Sequence, residues 1–240
     1  MKRRKEEEMK KKVIAMLLVV AMVISMFCIP ASADENESFS FKDFEWFEKL
    51  STVRSSIKSN KNIDSKSIHI SRDSLKISHS ITVNTTLLSF HENGIAGYSD
   101  VVTSMEFINP IKNGTIELES KDAELIYGEY CFPPLNTYDK PVDKYWSIKN
   151  TLVSLYGEPT EEESSYECSR WIAEDGSKIV LYINYIKMSR MRYNLYLQYF
   201  APNLDENNKI REQSELLDKI FKQQQKDNKA KREQEKRNGL

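Results

Sequence analysis

Lys178-Ile179-Val180-Leu181-Tyr182-Ile183-Asn184-Tyr185-Ile186-Lys187, then Met188-Ser189-Arg190, then Met191-Arg192-Tyr193-Asn194-Leu195-Tyr196-Leu197-Gln198-Tyr199-Phe200, is the stretch that decides the fold. Both ten-residue runs are rich in aromatic and β-branched residues, and the second alternates in polarity, the mark of a half-buried strand. A three-residue loop at Met188-Ser189-Arg190 pairs Ile183 with Leu195, Leu181 with Leu197, and Tyr182 with Tyr196. The aliphatic pairs then share an inner face and the two tyrosines an outer one.

Immediately upstream, Asp175-Gly176 marks a hairpin turn after a strand expected over 166–173. The length of that turn decides where Trp171 points. A two- or four-residue loop pairs it with Val180 and turns it outward beside Tyr182, but drives Arg170 toward the core. A three-residue loop pairs Trp171 with Leu181 and buries it. One residue of register exchanges the two faces, and the cost of burying Arg170 favours Trp171 inside. Tyr182 and Tyr196, with Arg192 near them, form a candidate patch for carbohydrate or protein, which the outward register would extend to Trp171.

The rest of the chain falls into place around this meander. Tyr145, Ile148, Leu152 and Leu155 share one face of a helix expected over 142–156, with Pro141 in its first turn and Gly157 and Pro159 as its stop. The acidic segment Glu161-Glu162-Glu163 reads as a loop. Between Ser67 and Phe132 the period is two. Leu75, Ile77, His79, Ile81 and Val83 read as one strand with His79 on its apolar phase, and further strands are expected over 95–102, 104–108, 115–119 and 124–132. His91-Glu92-Asn93-Gly94 and the segment 109–114 read as turns. Phe39, Phe41 and Phe44 suggest a first short strand, followed by a short helix carrying Leu50, Val53 and Ile57 on one stripe.

This order predicts an α+β protein of two helix-plus-antiparallel-meander units, about 39–135 and 136–202, within a domain spanning 34–202. The repetition reads as a diverged duplication, on element order rather than residue identity. Residues 203–240 form a charged helical or disordered tail. Ile210, Leu216, Leu217, Ile220 and Phe221 make a stripe that docks its start, and weak contact of its basic end with an anionic surface is a further expectation.

At the other end, an apolar run over 13–29 follows Lys10-Lys11-Lys12 and precedes Pro30-Ala31-Ser32-Ala33, the pattern of a secretory signal with cleavage between Ala33 and Asp34. Translation from Met9 rather than Met1 would give a more ordinary signal. An uncleaved anchor is the alternative, since 17 residues lie at the short limit for a bilayer span. The 240 residues carry 35 basic and 36 acidic side chains, and the first 33 hold seven of the former and three of the latter. That balance excludes a globally polycationic nucleic-acid binder. Cys131 and Cys168 remain after cleavage; a disulfide and two separate thiols both stay open.

Phe41-Lys42-Asp43-Phe44-Glu45-Trp46, Leu152-Val153-Ser154-Leu155-Tyr156-Gly157-Glu158-Pro159 and the Trp171–Gly176 segment resemble uncharacterised exported proteins of Gram-positive bacteria. The helix-then-three-strand unit is similar to that of small barrel-assembly lipoproteins of the SmpA/OmlA type, over residues 39 to about 202. Trp46-Phe47 stands where that family has a Trp-Gly turn. The resemblance implies binding or scaffolding and supplies no catalytic residues.

Residue chemistry points the same way. Gly-x-Ser-x-Gly is missing from the sequence, and Ser55-Ser56-Ile57-Lys58 matches Ser-x-x-Lys without a companion Lys-Thr-Gly. His69, His79 and His91 share no metal-ligand spacing, and neither a calcium loop nor a phosphate-cradling Gly-rich loop is found. The sequence thus leads to an exported, non-catalytic binding or scaffolding protein of the cell envelope, without cofactor or metal, secreted or held at the surface, with a protein or cell-wall polymer as partner. A hydrolase or peptidase built around His79 or His91, and an envelope spacer with a basic tail, are the two alternatives.

Overall fold

The computed structural model describes residues 38–134, 139–163, 167–187 and 191–237. The signal-like segment, including Ala33 and Asp34, lies outside the described residues, as does Tyr166. Helices α1 (Leu50–Ser59), α2 (Asp139–Tyr156) and α3 (Asn208–Arg237) accompany ten strands. These are β1 (His69–Lys76), β2 (Thr82–Glu92), β3 (Val101–Ile108), β4 (Ile111–Lys112), β5 (Thr115–Ile116), β6 (Glu124–Cys131), β7 (Glu161–Glu163), β8 (Cys168–Ile172), β9 (Lys178–Lys187) and β10 (Met191–Phe200). The protein is α+β. Eight strands form one antiparallel sheet in the order β1-β2-β3-β6-β10-β9-β8-β7, and β4 and β5 form a separate small hairpin.

The β9–β10 hairpin anchors this sheet in the register that its alternation demands, with Ile183 opposite Leu195, Leu181 opposite Leu197 and Tyr182 opposite Tyr196. β10 then pairs with β6, so the last strands of the two meanders meet at the centre. Helix followed by four sheet strands occurs twice along the chain, but strand order alone does not make the halves copies of one ancestor. One continuous core serves both halves, running from Leu50, Val53 and Ile57 of α1 through Leu88, Phe90 and Met105 to Leu152, Trp171 and Leu197.

Local chemistry fixes α1 and α2 onto this face. α1 has no side-chain cap; its first N–H groups, on Leu50 and Ser51, donate to the carbonyls of Ala123 (2.8 Å) and Lys121 (3.1 Å). Orphan donors at the helix start thereby tie it to the segment entering β6. α2 buries Tyr145, Ile148 and Leu152, whereas Leu155, expected on that stripe, is 37% exposed. Gly157 ends α2 at φ 79°, its N–H donating to Val153 O, a left-handed cap that glycine takes without a Cβ penalty. The Gly157 carbonyl accepts from the Trp171 indole N–H at 2.9 Å, which satisfies a tryptophan only 1% exposed.

Several sequence expectations are corrected. The run from Leu75 to Val83 is a hairpin, not one strand: Ile77 N–H donates to Ile81 O across the turn, and His79 is exposed. β2 extends through Glu92, and the strand expected from Ile95 begins only at Val101. Thr115–Glu119 shortens to the two-residue β5, and Glu161–Glu163, expected as a loop, is the edge strand β7. Phe39, Phe41 and Phe44 do not make a strand. Lys42 and Asp43 take left-handed φ values of 55° and 61°, a tight turn that sends Phe39 and Phe41 into the core. Phe41 lies over Gly128, where a Cβ would stand 2.3 Å from its ring.

α3 packs on the opposite face of the sheet. Ile210 joins Val83, Ile108, Ile126 and Tyr127 in a second, smaller cluster. Gln213, fully buried, accepts from Asn84 N–H (2.7 Å) and donates to Asn109 O (2.8 Å). Along the expected docking stripe Ile220 and Phe221 are exposed, and every side chain from Asp218 to Glu235 faces solvent.

Candidate functional site

Where α3 ends its cover, the sheet face opposite α1 and α2 carries half-exposed side chains among the described residues. Directly paired residues in an antiparallel sheet share a face, so the register defines two rows across this surface. One row runs Val102, Cys131, Tyr196, Tyr182, Cys168, Glu163, and the next runs Ser104, Glu129, Gln198, Val180, Arg170, Glu161.

The Tyr182 and Tyr196 rings stack at a centroid distance of 5.2 Å and an interplanar angle of 14°. Polar neighbours hold them. Gln198 Nε2 donates to the Tyr182 hydroxyl (3.0 Å) and to Glu129 Oε2 (2.7 Å), and Asn194 Nδ2 donates to the Tyr196 hydroxyl (3.0 Å). The Tyr127 hydroxyl also donates to Glu129 Oε2, at 2.6 Å. Burial raises the pKa of both stacked tyrosines, so each phenol stays protonated. Since the Tyr182 oxygen accepts from Gln198, its own proton remains available for donation. On β8, Arg170 donates to Glu161 (3.1 Å) and Glu163 (2.9 Å), which neutralises it in place. The surface is therefore a rigid aromatic pair framed by amide, carboxylate and paired guanidinium groups. It suits recognition.

Trp171 is not part of this patch. It pairs with Ile179 rather than Leu181, because the three-residue turn is closed by Ala173 and Ser177, one residue earlier than expected, and the parity that buries it is unchanged. Arg192 lies on β10, with its side chain outside the described part of the structure. Cys131 and Cys168 share the first row but are separated by the strands β10 and β9. Three inter-strand steps place their Cα atoms about 14 Å apart, twice the reach of a disulfide. Both are free thiols, and burial raises their pKa values. Of the two readings the sequence leaves open, the separate thiols hold and the bridge does not form.

The remaining chemical candidates are dispersed. His69 and His79 are exposed on and beside β1, while His91 contacts Asp100 through Nδ1 at the far end of β2. Ser55 Oγ donates to Ser51 O within α1. Glu117 and Glu119, within the segment 115–119 expected as a strand, bind Lys112 and Arg72 respectively. Among the described residues there is no group of three or more His, Cys, Asp or Glu placed to hold a metal ion, and no helix long and apolar enough to cross a membrane.

A second concavity, which the sequence did not reveal, opens on the helix-covered side where β6 meets β10. Its volume is about 240 Å³, and it is enclosed by segments around residues 40, 95, 130, 150 and 198. These are remote in sequence, so no local motif marks them.

Comparison with protein-family models, with curated proteins and with solved structures finds no match for this chain.

Proposed function

We propose that the chain is an exported, non-catalytic binding or scaffolding protein of the bacterial cell envelope, whose open sheet face receives a protein or a cell-wall polymer. The observation that carries this reading is the stacked Tyr182–Tyr196 pair, held by Gln198 and Asn194 on a sheet face that no core cluster covers at that point. Aromatic anchors fixed before contact lose little entropy on binding, and tyrosine is enriched where binding energy concentrates. The secretory pattern of residues 1–33 supports an extracytoplasmic place of action, and the likeness to barrel-assembly lipoproteins, which rests on the quoted sequence motifs alone, agrees with a scaffolding role.

The test is retention of purified cell-wall polymer and of solubilised envelope proteins on the immobilised full chain. Tyr182→Ala combined with Tyr196→Ala is expected to lower retention at least tenfold at an unchanged melting temperature. Equal retention by wild type and the folded double variant would remove the face from consideration.

A further inference from the structure

The cavity at the β6–β10 junction has features of a built site rather than a packing defect. It is a concavity with an open mouth and a volume of about 240 Å³. An apolar cavity on the order of 150 Å³ is enough to take up benzene, so the space here fits a bicyclic ring. Tyr130 of β6, Phe132 just after it, and Leu197 and Tyr199 of β10 form the floor, and Ile148 and Thr151 of α2 form a wall. Tyr130 and Tyr199 meet edge to face, with centroids 6.4 Å apart.

The charge buried beside the cavity is internally balanced, while the Asp43 carboxylate on the rim is exposed to solvent. Lys42 Nζ donates to both carboxylate oxygens of Glu92, at 2.7 and 2.6 Å, and the Thr103 hydroxyl donates to Glu92 Oε2 at 3.2 Å. The pair is sequestered, with side chains 12% and 4% exposed. The same ammonium stands 5.9 Å from the Phe90 ring centroid and 5.7 Å from that of Tyr130. An ammonium has three protons; two are engaged by Glu92 and the third side faces aromatic rings, so Lys42 has nothing left to offer an anion.

The rim is strained. Lys42 (φ 55°), Asp43 (φ 61°) and Ala96 (φ 48°) are all left-handed, and Gly97 beside them has φ 78°. Each non-glycine residue in that region carries a steric penalty, and such residues gather at ligand clamps. Two separate turns, 40–43 and 95–97, carry this strain on one mouth.

We propose that this cavity is a binding site for a small uncharged molecule of bicyclic-aromatic size bearing one hydroxyl or N–H group. Its apolar floor takes the ring system, the tyrosine and threonine hydroxyls meet the polar group, and the closed Lys42–Glu92 pair leaves no buried counter-charge for an ion. This site lies on the opposite side of the sheet from Tyr182 and Tyr196, so the two are independent.

The test titrates the full chain with 2-naphthol, indole, naphthalene-2-carboxylate and 2-aminomethylnaphthalene, followed by calorimetry and by backbone amide NMR. The two neutral probes are expected to bind at one equivalent with Kd below about 1 mM, within ordinary ligand efficiency, and to shift the amides of Ala96, Thr151 and Leu197. Both charged probes are expected to bind at least tenfold more weakly. Thr151→Phe, which projects a ring from α2 into the space, is expected to weaken 2-naphthol binding at least tenfold. Ser147→Phe on the same wall gives a second variant if the first does not fold, and the Tyr182/Tyr196 double alanine variant is expected to bind normally. Failure of the neutral probes to saturate, amide shifts mapping elsewhere, equal binding of the carboxylate, or unchanged binding in a folded wall variant would each overturn the proposal.

Discussion

Replacing Glu106 by Gln takes a carboxylate out of a place that disfavours its charge. Glu106 lies on β3, 8% exposed, opposite Leu87 of β2 and Tyr127 of β6. The Thr85 hydroxyl donates to its Oε2 at 2.7 Å, which favours the ionised form, but burial outweighs this and Asp73 and Glu129 repel the charge. Its pKa rises from the usual 4.5 to about 7. Below pH 4.5 both folded and unfolded chains carry the proton, so the group is neutral with respect to stability. Between 4.5 and 7 the unfolded chain releases it first, and folding stability falls as pH rises. Above 7 the penalty is complete, about 3 kcal/mol at about 1.4 kcal/mol per pH unit. Gln keeps the shape, can accept from Thr85 and never ionises. Urea unfolding followed by tryptophan fluorescence at pH 4.5 and pH 8.5 is expected to show Glu106→Gln near wild type at the lower pH and about 2–3 kcal/mol more stable at the higher. A variant less stable than wild type at pH 8.5, or displaced equally at both pH values, refutes the reasoning.

Gly128→Ala sets a Cβ against the buried Phe41 ring, and overpacking of this kind costs at least about 1–3 kcal/mol; a fall in urea midpoint checks it, and an unchanged midpoint contradicts the packing described. Trp171→Phe removes the indole donor to Gly157 O and part of a buried ring, so a loss of about 2–3 kcal/mol is expected by the same assay. Glu92→Gln leaves the sequestered Lys42 ammonium without its counter-charge and is expected to cost about 3 kcal/mol, whereas a cost near zero would mean that the pair is open to water. Intact mass measured with and without reductant is expected to be identical, with both Cys131 and Cys168 alkylated after unfolding without reduction; a two-dalton difference would require a different strand order.

Periodicity carried the fold wherever a strand buries one face. β9 and β10 bury every second residue at Ile179 and Leu181 and at Leu195, Leu197 and Tyr199, and their register and stacked tyrosines follow from that parity. Alternation misled between Leu75 and Val83, because the hairpin inserts a turn without breaking the polar–apolar rhythm. β2 was obscure for the opposite reason. Val83, Thr85, Thr86 and Leu88 are all buried, on both faces, so no period of two survives. The phenylalanines before α1 have the composition of a strand, yet they serve as inserts between sheet and helices, a role set by partners such as Gly128 far along the chain. Arithmetic along the sequence also left Cys131 and Cys168 unresolved, since the decisive fact is the pair of strands lying between them. The cavity was invisible for the same reason, its floor and rim coming from five separate segments.

The open face is tested most directly by a photo-crosslinking residue at Val180, which lies in the row beside Tyr182, compared with one at Ser154 on the exposed side of α2. With the full chain in contact with intact envelope preparations, the account predicts a discrete adduct from position 180, lost on Tyr182→Ala/Tyr196→Ala, and none from position 154. An adduct from position 154 alone would contradict it, and would move the binding surface to the helical side of the sheet.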